Sequence, residues 1–398
     1  MLLKTRSYLS AIAAFALLFA NLPLYAQGIE FEHSSWADIL AKAKKENKPV
    51  FLDAFTTWCG PCKYMARNVF TDETVGNFYN KNFINAKIDM EAGEGIRLAQ
   101  QYEVSAYPTL FYISGDGELL HVGLGSRGTT EFIKLGEEAL DPKARLASFI
   151  KTYNDGSRDP EFLRNYIARM DQGGRDFKDA AKQYWKTQSD DELLNRGNWT
   201  LIKSIVYDAD SREFNVLVKR RAEYIAKYTA DSVNEKIFAV YFDALITAAR
   251  EDKTNVKFNQ LKEKISATGF ERSDKLNLTA DMEVYKLKQD WKKYAPAAVK
   301  YLAKFGGKDA NELNNEAWTF YEKIDDKGLL KKALAWSKRS IEIEKSYSYM
   351  DTYASLWYKI GNKKEALKYA NEAIALAQTG GKDASGTMEL LGKIRQMK

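Results

Sequence analysis

Residues 50–63 read Val-Phe-Leu-Asp-Ala-Phe-Thr-Thr-Trp-Cys-Gly-Pro-Cys-Lys, and they predict the fold of the first third of the chain. The apolar run 50–55 is typical of a central buried strand, although Asp53 interrupts it. Cys59 and Cys62 follow four and seven residues after the run, where a helix is expected to begin. A strand that leads into a helix in this way indicates an α/β domain.

These are the only two cysteines of the 398-residue chain, and their spacing indicates a redox pair. An exported protein of this size that depended on disulfide cross-links would carry more cysteines. A structural zinc ion needs about four ligands, and neither His33 nor His121 lies at ligand spacing from the cysteines, so no metal site is expected. The alternative is a purely structural local disulfide or two buried thiols. A Cys-x-x-Cys pair beside a βαβ pattern favours redox chemistry.

The neighbouring segments predict a small α/β domain at residues 27–142, with the element order α-β-α-β-α-β-β-α. Ser34 or Ser35 can cap the first helix, whose apolar residues recur at helical spacing from Trp36 to Ala43. The other expected elements are a helix from the cysteines to about Tyr79, a strand at 83–89, a helix at 94–102, a hairpin of strands 109–113 and 118–122, and a helix at 129–140.

Four features in this order resemble the thioredoxin family over about residues 30–140. They are the motif 57–63, Asp53 six residues before Cys59, the segment Tyr107-Pro108-Thr109, and Gly123 after the hairpin. The resemblance implies a thioredoxin-like fold and thiol–disulfide exchange on protein substrates. It implies no metal, nucleotide or flavin cofactor, because the redox-active group is the Cys59–Cys62 pair itself.

The two cysteines are expected to have different roles. Cys59 would lie at the N-terminus of a helix, where backbone N–H groups and the macrodipole stabilise a thiolate, which is the nucleophile. Cys62 lies one turn later, is expected to be less exposed, and would resolve the mixed disulfide. Gly60 and Pro61 would shape the turn and the helix start. Trp58 would contact substrate or, alternatively, simply pack.

Asp53 is the third candidate catalytic residue. A carboxylate in an apolar strand is costly unless it is paired or protonated, and burial should raise its pKa. The resemblance places it beneath Cys62, where it would exchange a proton through water; the alternative is an outward-facing residue of an edge strand. Lys87 lies in the second predicted strand but is shifted by two residues from the position of the lysine of thioredoxins, so that lysine's role is not assigned to it.

The segment Tyr107-Pro108-Thr109 is the remaining candidate for substrate binding. The resemblance implies a cis peptide bond before Pro108 and pairing of substrate with the backbone of residue 107, as an added strand. Tyr107 differs from the aliphatic residue usual in thioredoxins. This difference concerns substrate preference and not the chemistry.

Beyond Pro142 the sequence predicts helices only. Residues 143–290 show no clear period, whereas 291–398 resemble tetratricopeptide repeats, because 332–336 align with 365–369 at an offset of 33. Trp336 and Tyr369 are expected in the core. Some of the other aromatic residues are expected on a concave face that binds a protein partner or a second copy of the chain; the alternative is that all of them pack inward. The aromatic residues of this end are Trp318, Tyr321, Trp336, Tyr353, Trp357, Tyr358 and Tyr369.

Residues 1–26 predict a signal peptide, with Lys4 and Arg6 before an apolar run and a cleavage site before Gln27. The run is short for a membrane span, so no stable span is expected after cleavage. Export and this motif favour the bacterial periplasm or cell envelope. The net charge of +6 is dispersed among acidic residues, and no nucleic-acid reader motif is present.

The sequence thus predicts an α/β thioredoxin-like domain followed by an all-α, partly tetratricopeptide-like region. The predicted function is that of an exported thiol–disulfide oxidoreductase, closer to a reductase or isomerase than to an oxidase, because Gly-Pro between the cysteines resembles the reducing members of the family. Its partners would be proteins with disulfides or thiols and an unidentified electron donor. The alternative is a partner-binding helical adaptor with an ancillary redox domain.

Overall fold

The computed structural model describes residues 28–252 and 254–398. The predicted signal peptide, 1–26, lies outside these residues. The described chain divides into two compact units, one ending at Ile205 and the other beginning at Val206. The bounds predicted from composition, 27–142, 143–290 and 291–398, stay predictions about the sequence.

The first unit begins with an α/β domain whose elements follow the predicted order, with one helix more. Ser35 caps the first helix by accepting a hydrogen bond from the Asp38 N–H, as the sequence predicts. The elements are α1 Trp36–Glu46, β1 Val50–Phe55, α2 Gly60–Asn68, α3 Glu73–Asn82, β2 Ile84–Asp89, α4 Gly95–Gln101, β3 Thr109–Ile113, β4 Leu119–Leu124 and α5 Thr129–Leu140.

The helix predicted from the cysteines to Tyr79 is in fact two helices. Helix α2 ends at Asn68, and the Asp72 carboxylate caps α3 by accepting hydrogen bonds from the N–H groups of Thr74 and Val75. The carbonyl of Phe70, between the two helices, accepts a 2.7 Å hydrogen bond from the Ile29 N–H. A capping aspartate and a tertiary backbone contact therefore interrupt a segment whose apolar spacing alone suggests one helix.

The four strands form one mixed sheet in the order β2-β1-β3-β4. Strand β1 is parallel to β2 and antiparallel to β3, and β3 pairs with β4 as the predicted hairpin. Strand β4 extends to Leu124, so Gly123 lies inside the strand rather than after it. A Cβ at Gly123 would come within 2.6 Å of Leu135 Cδ2, so only glycine fits here without rearrangement.

The all-α region continues the first unit and then forms the second. The first unit contains α6 Leu146–Asn154, α7 Pro160–Gln172, α8 Lys178–Thr187, a 3₁₀ turn Glu192–Leu194 and α9 Arg196–Ile205. The second contains α10 Arg212–Lys219, α11 Arg221–Lys227, α12 Ala230–Glu251, α13 Val256–Ala267, α14 Ser273–Leu287, α15 Trp291–Phe305, α16 Ala310–Lys323, α17 Lys327–Ile343, α18 Tyr347–Ile360, α19 Lys363–Thr379 and α20 Ser385–Arg395. No described helix is both long and apolar enough to cross a membrane.

The two faces of the sheet have different partners within the first unit. Phe51 and Tyr112 face α2, α3 and α5, where they pack with Met65, Tyr79 and Phe132. The opposite face packs against α1 and α4, and its apolar cluster also includes buried residues of α6 to α9. The residues of these later helices in the cluster are Leu146, Leu163, Tyr166, Ile167, Met170, Ala180, Ala181, Tyr184 and Leu201. The core of the α/β domain therefore includes helices that follow the predicted boundary at residue 142.

His121 of β4 contributes a polar contact to this junction. Its Nδ1 accepts a hydrogen bond from the Leu146 N–H at the start of α6, with an N–N distance of 3.1 Å. Its Nε2 lies 3.7 Å from Glu138 Oε2, and the same carboxylate pairs with Arg169 of α7 at 2.8 Å. Burial lowers the pKa of His121, whereas His121 and Arg169 lower the pKa of Glu138 to about 2.

The repeat noted in the sequence corresponds to small buried residues of α17 and α19. Ala333, Ser337 and Ser340 align at the offset of 33 with Ala366, Ala370 and Ala373, and all six are fully buried. Small residues at these positions allow the packed helices to approach closely, as the repeat interpretation requires. The assignment to tetratricopeptide repeats stays a prediction.

The expected exposure of aromatic residues in this region was wrong. Tyr353 is buried, and the other six are only partly buried, so none of them is freely exposed. Trp336 and Tyr369 pack at the margins of apolar clusters rather than in their centres. A protein partner for the helical region therefore stays a prediction without support from exposed aromatic rings.

Candidate active site

The two cysteines lie at the start of α2, close to the carboxyl end of β1. Cys59 is the N-cap residue of the helix, and Cys62 lies in its first turn with Pro61 before it. The two sulfur atoms form a disulfide, and the Cα atoms are 5.3 Å apart. The structure thus brings the predicted pair together in its oxidised form.

The helix start supplies a hydrogen bond to the first sulfur. The backbone N–H of Cys62 points to Cys59 Sγ at an N–S distance of 3.1 Å. A negative charge that develops on this sulfur upon reduction would be stabilised by this group and by the helix macrodipole. The predicted difference in exposure is absent in the oxidised form, since both cysteines are 2% exposed. Their different roles therefore depend on helix position.

Asp53 is fully buried in the second strand of the sheet order, so it is not the outward-facing residue of an edge strand. Lys87 lies directly opposite in β2, and its Nζ is 3.0 Å from Asp53 Oδ2. Burial raises the pKa of Asp53 and Lys87 opposes that effect; burial is the larger of the two. The result is a carboxyl group that accepts a proton more readily than an ordinary aspartate.

The sequence interpretation missed Lys87. Its position is shifted by two residues from that of the lysine of thioredoxins, so the role was not assigned, but the parallel register of β1 and β2 pairs Lys87 directly with Asp53. The ammonium group also lies 4.6 Å from the centre of the Phe55 ring, and the Lys87 side chain is 24% exposed. The available signal in the sequence was a lysine among the otherwise mostly apolar residues of β2. Only the register of the strands could turn that signal into a contact.

The segment before β3 has the predicted backbone geometry. The Tyr107–Pro108 peptide bond is cis. The Pro108 carbonyl accepts a 2.8 Å hydrogen bond from the Gly125 N–H, and the Thr109 hydroxyl donates to the Ala106 carbonyl at 2.7 Å. Pro108 and Thr109 are buried, whereas Tyr107 is partly exposed. Tyr107 is therefore the member of this segment whose side chain a substrate can reach.

Trp58 is 65% exposed beside the disulfide, so the interpretation as simple packing is not supported. Its ring is nearly perpendicular to that of Tyr107, with centroids 6.0 Å apart. Its indole N–H donates a 2.9 Å hydrogen bond to Glu91 Oε2. Glu91 is a further residue that the sequence interpretation missed, because the contact joins two separate loops. Gly60 and Pro61 are exposed next to these side chains.

Within residues 28–252 and 254–398, no group of three or more His, Cys, Asp and Glu side chains is placed to hold a metal ion. The candidate site residues are a disulfide at a helix start, a buried carboxyl–ammonium pair in the two neighbouring strands, and a cis-proline segment whose Tyr107 lies beside an exposed indole. On this fold they define a thiol–disulfide oxidoreductase.

Comparison with known proteins agrees with this class. The model of a family described as thioredoxin-like matches residues 32–114. An H-type thioredoxin of Chlamydomonas reinhardtii is 39% identical over 84 residues, which are 21% of this chain and 69% of the relative. A thioredoxin of Echinococcus granulosus is 35% identical over 98 residues, which are 24% of this chain and 86% of the relative. The chain belongs to the thioredoxin family.

A solved structure is similar to the same share of the chain. A proposed disulphide-isomerase from Bacteroides thetaiotaomicron has 41% sequence identity and a TM-score of 0.28, and the match covers 29% of this chain and 96% of that one. These similarities cover less than a third of the chain.

Proposed function

We propose that this chain is an exported reductase or isomerase of protein disulfides, with Cys59 as nucleophile and Cys62 as resolving thiol. The observation that carries the proposal is the hydrogen bond from the Cys62 N–H to Cys59 Sγ at the start of α2. It provides stabilisation for a thiolate at Cys59 and not at Cys62, which itself supplies the donor.

The reaction begins with the reduced dithiol. The Cys59 thiolate attacks one sulfur of a substrate disulfide, forms a mixed disulfide and releases the other substrate sulfur as a thiolate. Cys62 then attacks Cys59 Sγ, which closes the Cys59–Cys62 disulfide and releases the second substrate sulfur. The substrate gains two electrons and two protons, and the enzyme loses the same number.

Asp53 supports the second step as the acceptor of the Cys62 proton. A thiol must lose its proton before it attacks, and the raised pKa of Asp53 makes its carboxylate a better base than an exposed one. Lys87, at 3.0 Å, opposes the effect of burial on the pKa of Asp53 and favours the ionised form of the carboxyl group. The pair would therefore take up a proton and release it within one catalytic cycle.

The residues between the two cysteines support the proposed direction of electron flow. Gly60 and Pro61 have no side-chain donor or charge that could stabilise a thiolate further. A strongly oxidising member of the family owes its potential to a stabilised reduced form. With one backbone donor at the sulfur, this site favours reduction or isomerisation of substrates over their oxidation. The active site needs no cofactor beyond the disulfide.

The predicted signal peptide supports a location of this chemistry in the bacterial periplasm or cell envelope. An electron donor must then return the disulfide to the dithiol, and the donor is a separate protein or carrier. Determination of the N-terminal residue of the envelope-associated protein tests the location, with cleavage before Gln27 as the expected result. A protein that retains residues 1–26 in the cytoplasm contradicts this part of the proposal.

Paired cysteine variants test the function itself. Cys62→Ser should accumulate mixed disulfides with other proteins in cells, because the resolving thiol is absent, whereas Cys59→Ser should not. The unsubstituted chain should reduce insulin with dithiothreitol as electron source, and each variant should lose that activity. Equal trapping by both variants would refute the assignment of the nucleophile, and an inactive unsubstituted chain would refute the function.

A further inference from the structure

We infer that the redox site selects disulfides whose cysteines are flanked by lysine or arginine, through the group formed by Trp58, Tyr107, Glu91 and Asp89. The inference depends on the proposed function, since it names the substrate class of the same site. It starts from the side chains that border the disulfide.

Trp58 immediately precedes Cys59, and Tyr107 immediately precedes the cis proline. A substrate sulfur that reaches Cys59 Sγ must therefore bring its neighbouring residues next to both rings. The indole is 65% exposed, and the nearly perpendicular Tyr107 ring lies 6.0 Å away. Faces of Trp and Tyr rings attract a cationic side chain more strongly than an anionic or neutral one.

Two carboxylates give these rings a negative surrounding. Glu91 Oε2 accepts the 2.9 Å hydrogen bond from Trp58 Nε1, which fixes its charge at the edge of the indole. Asp89, the last residue of β2, accepts a hydrogen bond from the Glu91 N–H at 3.0 Å, which holds the second carboxylate next to that loop. Burial raises the pKa of the Tyr107 hydroxyl, and both carboxylates lie close enough to raise this pKa further. A guanidinium or ammonium group beside Tyr107 would thus meet an aromatic face and two negative charges.

Lys63 is the cation next to Cys62 in the sequence, and it is exposed. The positive charge of Lys63 reduces the preference for a basic substrate. On the side of Trp58 and Tyr107, two carboxylates and two aromatic rings act in the opposite direction, and their combined attraction for a cation is expected to exceed the repulsion from Lys63. The chain as a whole carries a formal charge of +6. Long-range attraction would therefore favour acidic substrates, so the local group predicts the opposite preference from the net charge.

The test compares three peptide disulfides that differ only in the residues flanking each cysteine, which are lysine, glutamine or glutamate. Reduced full-length protein is mixed with each peptide, and second-order rate constants are measured at pH 7 in low and high salt. Each constant is divided by the rate of the same peptide with dithiothreitol, which removes the intrinsic reactivity of the peptide. The lysine peptide should react about 4- to 25-fold faster than the glutamate peptide, since exposed ion pairs and cation–π contacts each contribute a factor of roughly two to five.

Glu91→Gln is the decisive variant, because glutamine keeps an oxygen that can accept the indole N–H but removes the charge. It should reduce the lysine-to-glutamate ratio at least twofold, as should high salt. Glu118→Gln is the matched control, since Glu118 is an exposed carboxylate in the turn at the other end of β3, and it should leave the ratio unchanged.

Two outcomes overturn the inference while the proposed function stands. One is a ratio within twofold of unity for the unsubstituted protein. The other is a Glu91→Gln protein that reduces all three peptides more slowly with an unchanged ratio, which would mean that Glu91 only positions the indole. Failure to reduce even the glutamine peptide would instead refute the proposed function.

Discussion

The shared core of the first unit predicts that a truncation in α7 destabilises the redox domain. Ile167 is fully buried and belongs to the same apolar cluster as Leu52 of β1 and Phe111 of β3. Ile167→Ala removes three carbon atoms from this cluster and leaves a cavity. Substitutions of this type cost about 2–5 kcal/mol, as lost transfer free energy and lost packing add together.

Hydrogen exchange of the β1 backbone amides measures the effect. These amides are bonded within the sheet, so they exchange when the unit opens. A loss of about 2 kcal/mol or more should accelerate their exchange about 30-fold or more, since 1.4 kcal/mol corresponds to a factor of ten. Asn165→Ala is the matched control, because Asn165 is exposed on the same helix. It should change the exchange rates by no more than about twofold.

One pattern of exchange rates would refute the dependence of the sheet on α7. If Ile167→Ala accelerates exchange in α7 while the amides of β1 keep their protection, the helices after residue 142 form a separate cooperative unit. The sheet would then not depend on them. Equal acceleration by the Asn165→Ala control would show that the helix itself, and not the apolar cluster, determines the rates.

Three further predictions concern titratable groups of the first unit. Asp53→Asn should slow thiol–disulfide exchange between pH 6 and 9, and kinetics equal to those of the unsubstituted protein throughout that range would exclude its proton transfer. The same variant should be more stable than the unsubstituted protein at pH values above the raised folded pKa of Asp53, because a buried carboxylate destabilises the fold once it is ionised. Urea unfolding at several pH values measures this gain in stability, which should disappear in acid. The junction at His121 and Glu138 should weaken in acid, since both groups have lower pKa values in the folded protein than in the unfolded chain. Stability should fall below pH 6.5, because the unfolded chain then binds a proton at His121 more readily than the folded protein does. It should fall again as the pH decreases from about 4.5 towards 2, the range between the unfolded and folded pKa values of Glu138. Glu138→Gln should remove the second decrease, and an acid unfolding curve that does not change would contradict this assignment.

The sequence predicted what depends on local pattern. Strand β1 and helix α5 have the predicted bounds, and the cis bond before Pro108 is confirmed. Each depends on an apolar run, a capping signal or a family motif within a few residues. The interruption between α2 and α3 was missed because the Phe70 carbonyl bonds to Ile29, which is distant in sequence.

Contacts between distant segments account for the other differences. Lys87 meets Asp53 through a strand register that no single segment specifies, and Glu91 meets Trp58 across two loops. The boundary predicted at residue 142 came from a change in composition, and composition does not show that Leu146 and Leu163 pack in the cluster of the sheet. The apolar residues of a helix have the same spacing in the sequence whether the helix packs against a sheet or against a second helix.

The position of the added helices has a consequence for protein engineering. They pack in the cluster of Leu52 and Phe111, whereas the cysteine helix α2 lies on the face of Phe51 and Tyr112. If a free-standing thioredoxin replaced residues 28–142, its solvent-facing surface would lie against Leu146, Leu163 and Ile167. These residues would then lose the apolar sheet face against which they pack. Chimeras should therefore exchange the active-site face alone and retain the native residues on the other side of β1 and β3. Whole-module exchange is expected to yield aggregated protein, because those leucine and isoleucine side chains would be left in water.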